Sequence, residues 1–250
     1  MKKIKYSGIR STIGEFIRLG SRVNPIFISS EIIADKLKEY CSSNQLSYTP
    51  VLMKIIAGIR DKYPIMNTVL ARDFFRRKIY FPDDIDMAVA IEKTENGETF
   101  ITSPVVRQVD KKSVQELTAE LKILAETPFS ERPDIKSLSL FNSFPAFIKY
   151  LVFCFVCQSQ SLFRSFFGTI GFTNLGYLGV LNMYPHWVNT VVFGIGSIEE
   201  KPVVIDGAIA IAPVLHVTLA FNHRIFDGAV AARILDEFKR IIVSGEFDAL

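Results

Sequence analysis

The sequence predicts a mixed α/β protein in which helices surround one large sheet. A long apolar helix is expected at residues 49–62, where residues such as Leu52 and Ile55 recur at helical spacing. Long β-rich runs occupy residues 188–198 and 208–221. With 49% hydrophobic and 22% charged residues, the 250-residue chain has the composition of a globular protein with a substantial core.

The first half of the chain is expected to alternate short helices and strands. Helices are predicted at residues 11–19, 33–40, 49–62 and 113–125, and strands at residues 26–32, 68–70, 78–81, 87–92 and 99–106. The alternation of Met87, Val89 and Ile91 indicates one buried strand face. Pro50 suits the first turn of its helix, with Thr49 as the cap.

The second half is expected to contain an apolar insertion followed by most of the sheet. Residues 127–133 form a breaker-rich linker, and residues 144–165 an apolar helical segment. Strands are predicted at residues 188–198, 202–205 and 208–221, and a closing amphipathic helix at residues 227–243. Asp206-Gly207 is a strong hairpin turn signal between the last two strands.

Residues 144–157 are the stretch that raises the question of a membrane. They are interrupted by Pro145 and Lys149 and are shorter than the roughly 20 apolar residues that span a bilayer. A buried or interfacial helix is therefore expected, and no membrane span. Residues 1–10 are polar and carry no apolar signal core, so a cytoplasmic location is expected.

Charge and cysteine content argue against two classes of site. A net charge of +3, with short basic runs at residues 2–3 and 76–78, gives no reason to expect a nucleic-acid partner. Cys154 and Cys157 have CxxC spacing, but no second ligand pair follows, and the histidines are not spaced as zinc ligands. No metal is expected, and these cysteines, with Cys41, are predicted to be reduced thiols.

His223 has the most telling setting of the three histidines. It follows the strand predicted to end at Phe221 and precedes Asp227-Gly228, where the last helix is expected to begin. A strand end that delivers a histidine into a tight loop is a rigid place for a general base, because neutral imidazole accepts a proton near pH 7. The residues alone also allow a structural histidine, with Asp227 as a helix cap and Gly228 as a turn glycine.

The pattern His223-Arg-x-x-Asp227-Gly228, followed by an Ala-rich helix, resembles the active-site motif of the 2-oxoacid dehydrogenase acyltransferases. These are the catalytic domains of dihydrolipoamide acetyl- and succinyltransferases. Further segments resemble the family's motifs in the same order, at residues 7–10, 103–107 with 110–113, 168–176, and 194–197 with 201–207. The resemblance covers nearly the whole chain. It implies a single catalytic domain over residues 1–250 with the chloramphenicol acetyltransferase-like two-layer sandwich of a large mixed sheet and helices.

The resemblance also implies a reaction. The chain would be a coenzyme A-dependent acyltransferase that moves an acyl group directly from acyl-CoA to a thiol, hydroxyl or amine acceptor. His223 would deprotonate the acceptor, without a bound metal or a covalent enzyme intermediate. Thr173 occupies the family's serine position, where a hydroxyl donates to the oxyanion of the tetrahedral intermediate, and threonine keeps that donor. An ordinary β-branched strand residue is the alternative interpretation of Thr173.

The resemblance places Asp227 with His223 and Thr173 in the catalytic set, and it gives supporting roles to Arg10, Asn174, Gly176 and Gly228. Asp227 is expected to hold the active-site loop through a salt bridge to Arg10, and not to act on the substrate directly. Asn174 and Gly176 are expected to shape the turn at the oxyanion position. The fold implies a homotrimer whose sites lie between subunits, with His223 from one chain and the hydroxyl from its neighbour.

The chain also departs from the family's pattern. Asn222 stands where the family usually has Asp, and Ile26 replaces the His of a Pro-His-Phe segment. The insertion at about residues 127–166 is longer and far more apolar than the family's linker. Neither a lipoyl domain nor a subunit-binding domain is expected. These departures fit a free-standing acyltransferase. Its acceptor is expected to be hydrophobic and to differ from dihydrolipoamide. A noncatalytic assembly or regulatory protein that keeps the fold, and a membrane-peripheral module that uses residues 144–165, are the alternatives.

Overall fold

The computed structural model describes residues 9–21, 23–73, 76–95, 98–128 and 144–247. The helices within these ranges are α1 (Ile9–Gly20), α2 (Asp35–Ser43), α3 (Tyr48–Ile59), α4 (Val114–Glu126), α5 (Ala146–Val156), α6 (Gln160–Phe167) and α7 (Gly228–Ser244). The strands are β1 (Pro25–Ile33), β2 (Val69–Asp73), β3 (Arg76–Tyr80), β4 (Met87–Val89), β5 (Ile91–Glu95), β6 (Glu98–Thr102), β7 (Val105–Val106), β8 (Ile170–Asn174), β9 (Val191–Ile205) and β10 (Ala208–Asn222). Short 3₁₀ turns lie at Pro64–Met66 and Gly176–Leu178.

One six-stranded mixed sheet organises these elements, in the order β1-β10-β9-β8-β4-β7. β1, β10 and β9 are antiparallel neighbours, β9, β8 and β4 are parallel neighbours, and β7 is antiparallel to β4 at the edge. Two further hairpins, β2–β3 and β5–β6, stand apart from this sheet. The predicted mixed α/β architecture around one large sheet is confirmed.

Two hydrophobic cores stabilise the fold. The larger one joins one face of the sheet to the helices, as Ile55 of α3, Phe193 of β9 and Phe238 of α7 show. The rings of Phe193 and Phe238 lie 5.5 Å apart between centroids. A smaller core lies between α1, β2, α5 and α6 and contains Leu19, Val69, Phe153, Val156, Phe163, Phe167 and Val188.

Several element boundaries differ from the predictions for local chemical reasons. α3 begins at Tyr48 after Ser47, so Thr49 is not its cap and lies in the first turn, where its hydroxyl accepts from Asn174. The strand predicted at residues 99–106 is two strands. β6 pairs with β5, and β7 joins the main sheet beyond Pro104, which has no N–H to continue a ladder.

The helical segment predicted at residues 144–165 consists of two helices that meet at a bend of 116°. The bend follows Cys157, and the Ser159 hydroxyl caps the second helix by accepting from Leu162 N at 3.4 Å. Among the described residues, no single helix is long and apolar enough to cross a membrane. α5 and α6 are long and apolar enough for a span only when they are taken together, as a bent pair. One face of α5 is buried and the other is exposed in the single chain, so the expectation of a buried or interfacial helix stays a prediction for the exposed face.

Candidate active site

His223 lies in a turn that links β10 to α7, and Asn222 shapes that turn. The Asn222 side-chain oxygen accepts from Arg224 N at 3.1 Å, and its backbone oxygen accepts from Ile225 N at 2.9 Å. Asn222 N donates to Thr190 O at 2.9 Å, which ties the turn to the start of β9. Asn222 is 5% exposed. The position that departs from the family's usual Asp therefore holds the histidine loop through an amide, which needs no counter-charge when buried.

The imidazole of His223 is partly exposed and contacts the carboxylate four residues later. His223 Nδ1 lies 3.3 Å from Asp227 Oδ1, and the side chains are 43% and 83% exposed. The ring also lies 5.9 Å from that of Phe221, which stacks on buried Phe226. A buried aromatic pair therefore supports the histidine from below while the imidazole stays open to a ligand.

Asp227 occupies the N-cap position of α7 without using its side chain as the cap. Its backbone oxygen accepts from Val230 N at 3.0 Å, and Gly228 is the first residue of the helix. Its carboxylate is free of a cap hydrogen bond and lies against His223, a contact that the sequence analysis did not anticipate although the i, i+4 spacing allows it. Arg10 belongs to α1, but its side chain lies outside the described part of the chain, so the pairing with Asp227 remains a prediction.

Thr173 lies near the end of β8 and lines an open cavity of about 450 Å³. Thr173 is 8% exposed. Most of the wall is apolar and comes from β4, β5, β6, α4 and β8, including Val89, Ile91, Ile101, Leu121, Phe172 and Leu175. Glu92, Lys122 and Tyr177 add polar groups. Partial burial raises the pKa of the Tyr177 hydroxyl, and Glu92, whose carboxylate accepts from it at 3.4 Å, acts in the same direction.

Asn174 and Gly176 form the turn that follows Thr173. The Asn174 side-chain oxygen accepts from Gly176 N at 2.9 Å, while its Nδ2 donates to Thr49 Oγ1 at 3.1 Å. A Cβ on Gly176 would lie 2.2 Å from the backbone oxygen of Gly196, so no side chain fits there. Thr49, which was predicted to be a helix cap, instead anchors this turn to α3. The spacing of Thr49 gave no signal for that contact because the two residues are 125 positions apart.

His223 and Thr173 of one chain do not meet. Thr173 pairs with Gly194, which in turn pairs with Thr218, so Thr173 is two strands away from Thr218 at the same level. Asn222 lies four residues further along β10, toward the opposite end of β8. With a rise of about 3.4 Å per residue and about 4.8 Å between strands, Thr173 and Asn222 are roughly 17 Å apart. His223 does not line the cavity that holds Thr173.

A buried ion cluster fixes the start of β8. The Asp86 carboxylate, 3% exposed, lies 3.0 Å from both Arg107 Nη1 and Arg164 Nη2. Arg107 also donates to the backbone oxygens of Arg164 and Ser165, each at 2.8 Å. Arg107, which belongs to a family-like motif, therefore fastens α6 to the sheet and does not face the cavity.

The cysteines and remaining histidines have structural surroundings. Burial raises the pKa of the Cys41 thiol to about 11, so the thiol stays protonated. Cys154 lies on α5 and Cys157 at its end, both outside any disulfide. His186 Nε2 lies 2.9 Å from Gly20 O. Within the described ranges, no group of three or more His, Cys, Asp or Glu side chains could hold a metal ion.

Comparison with known proteins gives the family and the fold. A dihydrolipoyllysine-residue acetyltransferase component of the pyruvate dehydrogenase complex of Bacillus subtilis (strain 168) is 27% identical over 255 residues, which cover 95% of this chain and 49% of that protein. The chain spans about half the length of the curated relatives that it matches first.

Two solved structures show the same architecture. The dihydrolipoamide acetyltransferase of Azotobacter vinelandii superposes with a TM-score of 0.73 at 18% identity, covering 97% of this chain and 91% of that one. A chloramphenicol acetyltransferase superposes with a TM-score of 0.52 at 13% identity, covering 92% and 94%. The expected chloramphenicol acetyltransferase-like fold is confirmed.

The model of the family described as 2-oxoacid dehydrogenases acyltransferase (catalytic domain) matches residues 5–132 and 167–247. Residues 133–166, which include α5 and most of α6, lie outside the match. Because the matched ranges cover most of the 250 residues, the chain belongs to the 2-oxoacid dehydrogenase acyltransferase (catalytic domain) family.

Proposed function

We propose that this chain is an acyltransferase that moves an acyl group from acyl-CoA directly to a thiol, hydroxyl or amine, with His223 as general base. The contact of His223 Nδ1 with Asp227 carries the proposal. A carboxylate at Nδ1 favours the neutral tautomer that bears its proton there, which leaves the Nε2 lone pair available to accept a proton. The Azotobacter vinelandii structure belongs to a study of a serine, a histidine and an asparagine in the catalytic mechanism of that enzyme, its histidine and asparagine being four positions apart. His223 and Asp227 have the same spacing.

Thr173 would stabilise the oxyanion that forms when the acceptor attacks the thioester carbonyl. Thr173 lines the cavity, and the turn that follows it is held by Asn174 and leaves no room for a side chain at Gly176. A preorganised donor costs no reorganisation at the moment of reaction, and loss of one such donor reduces turnover by roughly 10²–10³-fold. A 450 Å³ cavity is within the size range of small-molecule sites, and its apolar walls favour a hydrophobic substrate group.

The proposed site is assembled between two chains of a homotrimer. Thr173 is about 17 Å by strand register from Asn222, the residue before His223, which is far beyond hydrogen-bond reach. A closed three-fold ring has one heterologous interface between each neighbouring pair, which allows His223 of one chain to approach Thr173 of the next. In this proposal residues 1–250 form one catalytic domain, and the insertion is accommodated between α4 and β8.

An assay that separates and quantifies free CoA by chromatography tests the activity, because transfer to a thiol acceptor leaves the number of free thiols unchanged. Acetyl-, medium-chain and branched acyl-CoA donors would be combined with dihydrolipoamide, an aliphatic alcohol and an amine. His223→Ala is expected to reduce turnover by roughly 10²–10⁴-fold, the range of general-base catalysis. His186→Ala is the matched control, because His186 is an exposed histidine that contacts backbone oxygens.

Two results would contradict the proposal. A His223→Ala variant that keeps more than half of wild-type turnover would remove the general base. A wild-type chain that is folded and trimeric but inactive with every donor and acceptor pair would favour the noncatalytic alternative.

A further inference from the structure

Helix α5 carries an apolar stripe that faces outward. Phe147, Leu151 and Phe155 recur every four residues and are 63%, 61% and 63% exposed. The opposite side of the helix is buried, because Phe153 packs into the smaller core and Lys149 is 1% exposed. Three large apolar side chains held in water on one helix face indicate an interaction surface.

The bent helix pair that carries the stripe has no acidic residue. Residues 144–167 contain two charged side chains, Lys149 and Arg164. Both are engaged within the fold, since Lys149 Nζ donates to Ser11 Oγ at 3.4 Å and Arg164 pairs with Asp86 at 3.0 Å. The α5–α6 pair therefore presents no negative charge of its own that would repel an anionic surface.

A basic hairpin adjoins the stripe. β2 and β3 expose Arg72, Arg76 and Arg77. The backbone N–H of Arg72 donates to Gln158 O, in the bend that ends α5, at 2.9 Å, and Tyr80 of β3 packs against the same smaller core. An apolar stripe with cationic side chains beside it is complementary in charge and polarity to a lipid surface with anionic headgroups.

We propose that the stripe and the hairpin bind the surface of a bilayer that contains anionic lipids, with α5 lying in the plane of the interface. Fluid acyl chains accept protruding Phe and Leu side chains without a shaped groove, and the arginines stay among the headgroups. The 11 residues of α5 extend about 17 Å, which is short of the roughly 30 Å hydrocarbon core. Because the chain then bends by 116°, it lies on the bilayer and does not cross it.

Flotation of the full chain with liposomes tests the proposal. The probes are vesicles of phosphatidylcholine alone and of phosphatidylcholine mixed with phosphatidylglycerol. We expect wild-type protein to float with the anionic vesicles and to be released by high salt. The double variant Leu151→Gln with Phe155→Gln should bind at least roughly tenfold more weakly, because it removes most of the apolar stripe. Arg77→Gln should bind roughly fivefold more weakly.

Ile123→Gln is the matched control, because Ile123 is a 63% exposed apolar residue on α4, away from the stripe. It should float like the wild type. All substituted side chains are exposed, so circular dichroism should show unchanged folding.

Four outcomes would overturn the proposal. Wild-type protein that does not float with anionic vesicles, or a double variant that floats as well as the wild type, removes the stripe as a lipid-binding surface. Equal binding to neutral and anionic vesicles would show that the arginines of the hairpin do not contribute to lipid binding. A wild-type chain that does not float, and that loses a subunit contact when Leu151 and Phe155 are replaced, would show that a second copy of the chain covers the stripe.

Discussion

Mixing two inactive variants tests whether one site takes residues from two chains. In one chain, the strand order β8-β9-β10 and the paired registers separate Thr173 from the end of β10 by roughly 17 Å. His223→Ala and Thr173→Ala homotrimers should each be inactive, at roughly 1% of wild-type turnover or less, because each lacks one reacting group. The two variants would be unfolded, mixed in equal amounts and refolded together.

The expected recovery follows from random assembly. Each site of a mixed ring needs an intact His223 from one chain and an intact Thr173 from its neighbour. Each requirement is met independently in half of the cases, so about a quarter of the sites should be whole. The rate of CoA release should therefore rise from the baseline to about a quarter of the wild-type rate. As a control, refolding His223→Ala with wild-type protein should give about half.

The opposite result has a clear meaning. Native mass spectrometry with a tagged variant would first establish that mixed oligomers form. If mixed oligomers are present and activity stays at the baseline, no site combines His223 of one chain with Thr173 of its neighbour, and the shared site is wrong. His223 would then remain a candidate base. The oxyanion donor would have to be a hydroxyl or amide near His223 in the same chain, and not Thr173.

Three further predictions address the supporting structure. Gly176→Ala should disrupt the turn after Thr173 and abolish activity, because its Cβ would lie 2.2 Å from Gly196 O. The control Gly58→Ala, on α3 with open space around it, should raise the free energy of unfolding by about 0.5–1 kcal/mol, measured by thermal unfolding. Equal effects of the two substitutions would contradict the role of the turn. Arg107→Met should reduce the free energy of unfolding by about 2–3 kcal/mol, because it leaves the buried Asp86 carboxylate with one of its two cationic partners. The control Arg77→Met, at an exposed position, should change it by less than about 0.5 kcal/mol. Equal urea midpoints for the two variants would show that Arg107 does not stabilise the fold through Asp86. Burial lowers the pKa of His216 from its ordinary 6.5, and the Lys201 ammonium adds to this, while Glu31 and Glu199 oppose it. The folded protein therefore binds fewer protons at His216 than the unfolded chain, so stability should fall as the pH drops below about 6.5, and His216→Gln should flatten that slope in melting temperature.

Motifs that are local in sequence were predicted well. The helix predicted at residues 113–125 is α4, which begins behind a capping box of Ser113 and Glu116, and the predicted Asp206-Gly207 turn joins β9 to β10. Each depends on residues within a few positions, so spacing carries the information. The contact of His223 with Asp227 is equally local, at i, i+4 spacing, but it was not anticipated because Asp227 was expected to pair with Arg10.

Contacts that depend on chain topology could not be predicted from spacing. Thr49 anchors Asn174 across 125 positions, and β8 lies between β4 and β9 although residues 90–169 separate it from β4 in the chain. Hydropathy also merged α5 and α6 into one segment, because their bend depends on the Ser159 cap and not on a change in polarity. The exposure of Phe155 could not be predicted either, since it depends on which elements cover each face.

Backbone contacts with Asp86 set the register of β8 beyond the insertion, whose Arg164 pairs with the Asp86 carboxylate. Gly168 follows the insertion; its φ of +64° favours glycine, and a Cβ there would lie 2.5 Å from Asp86 O. Thr169 N and Ile170 N then donate to that same oxygen at 2.6 and 3.2 Å, so β8 begins at a level set by the residue before β4. Since Thr173 is three residues further along β8, its depth in the cavity is set by these backbone contacts. The α5–α6 pair can therefore diverge from the family, and acquire a surface of its own, while the strand that carries the proposed oxyanion donor keeps its register.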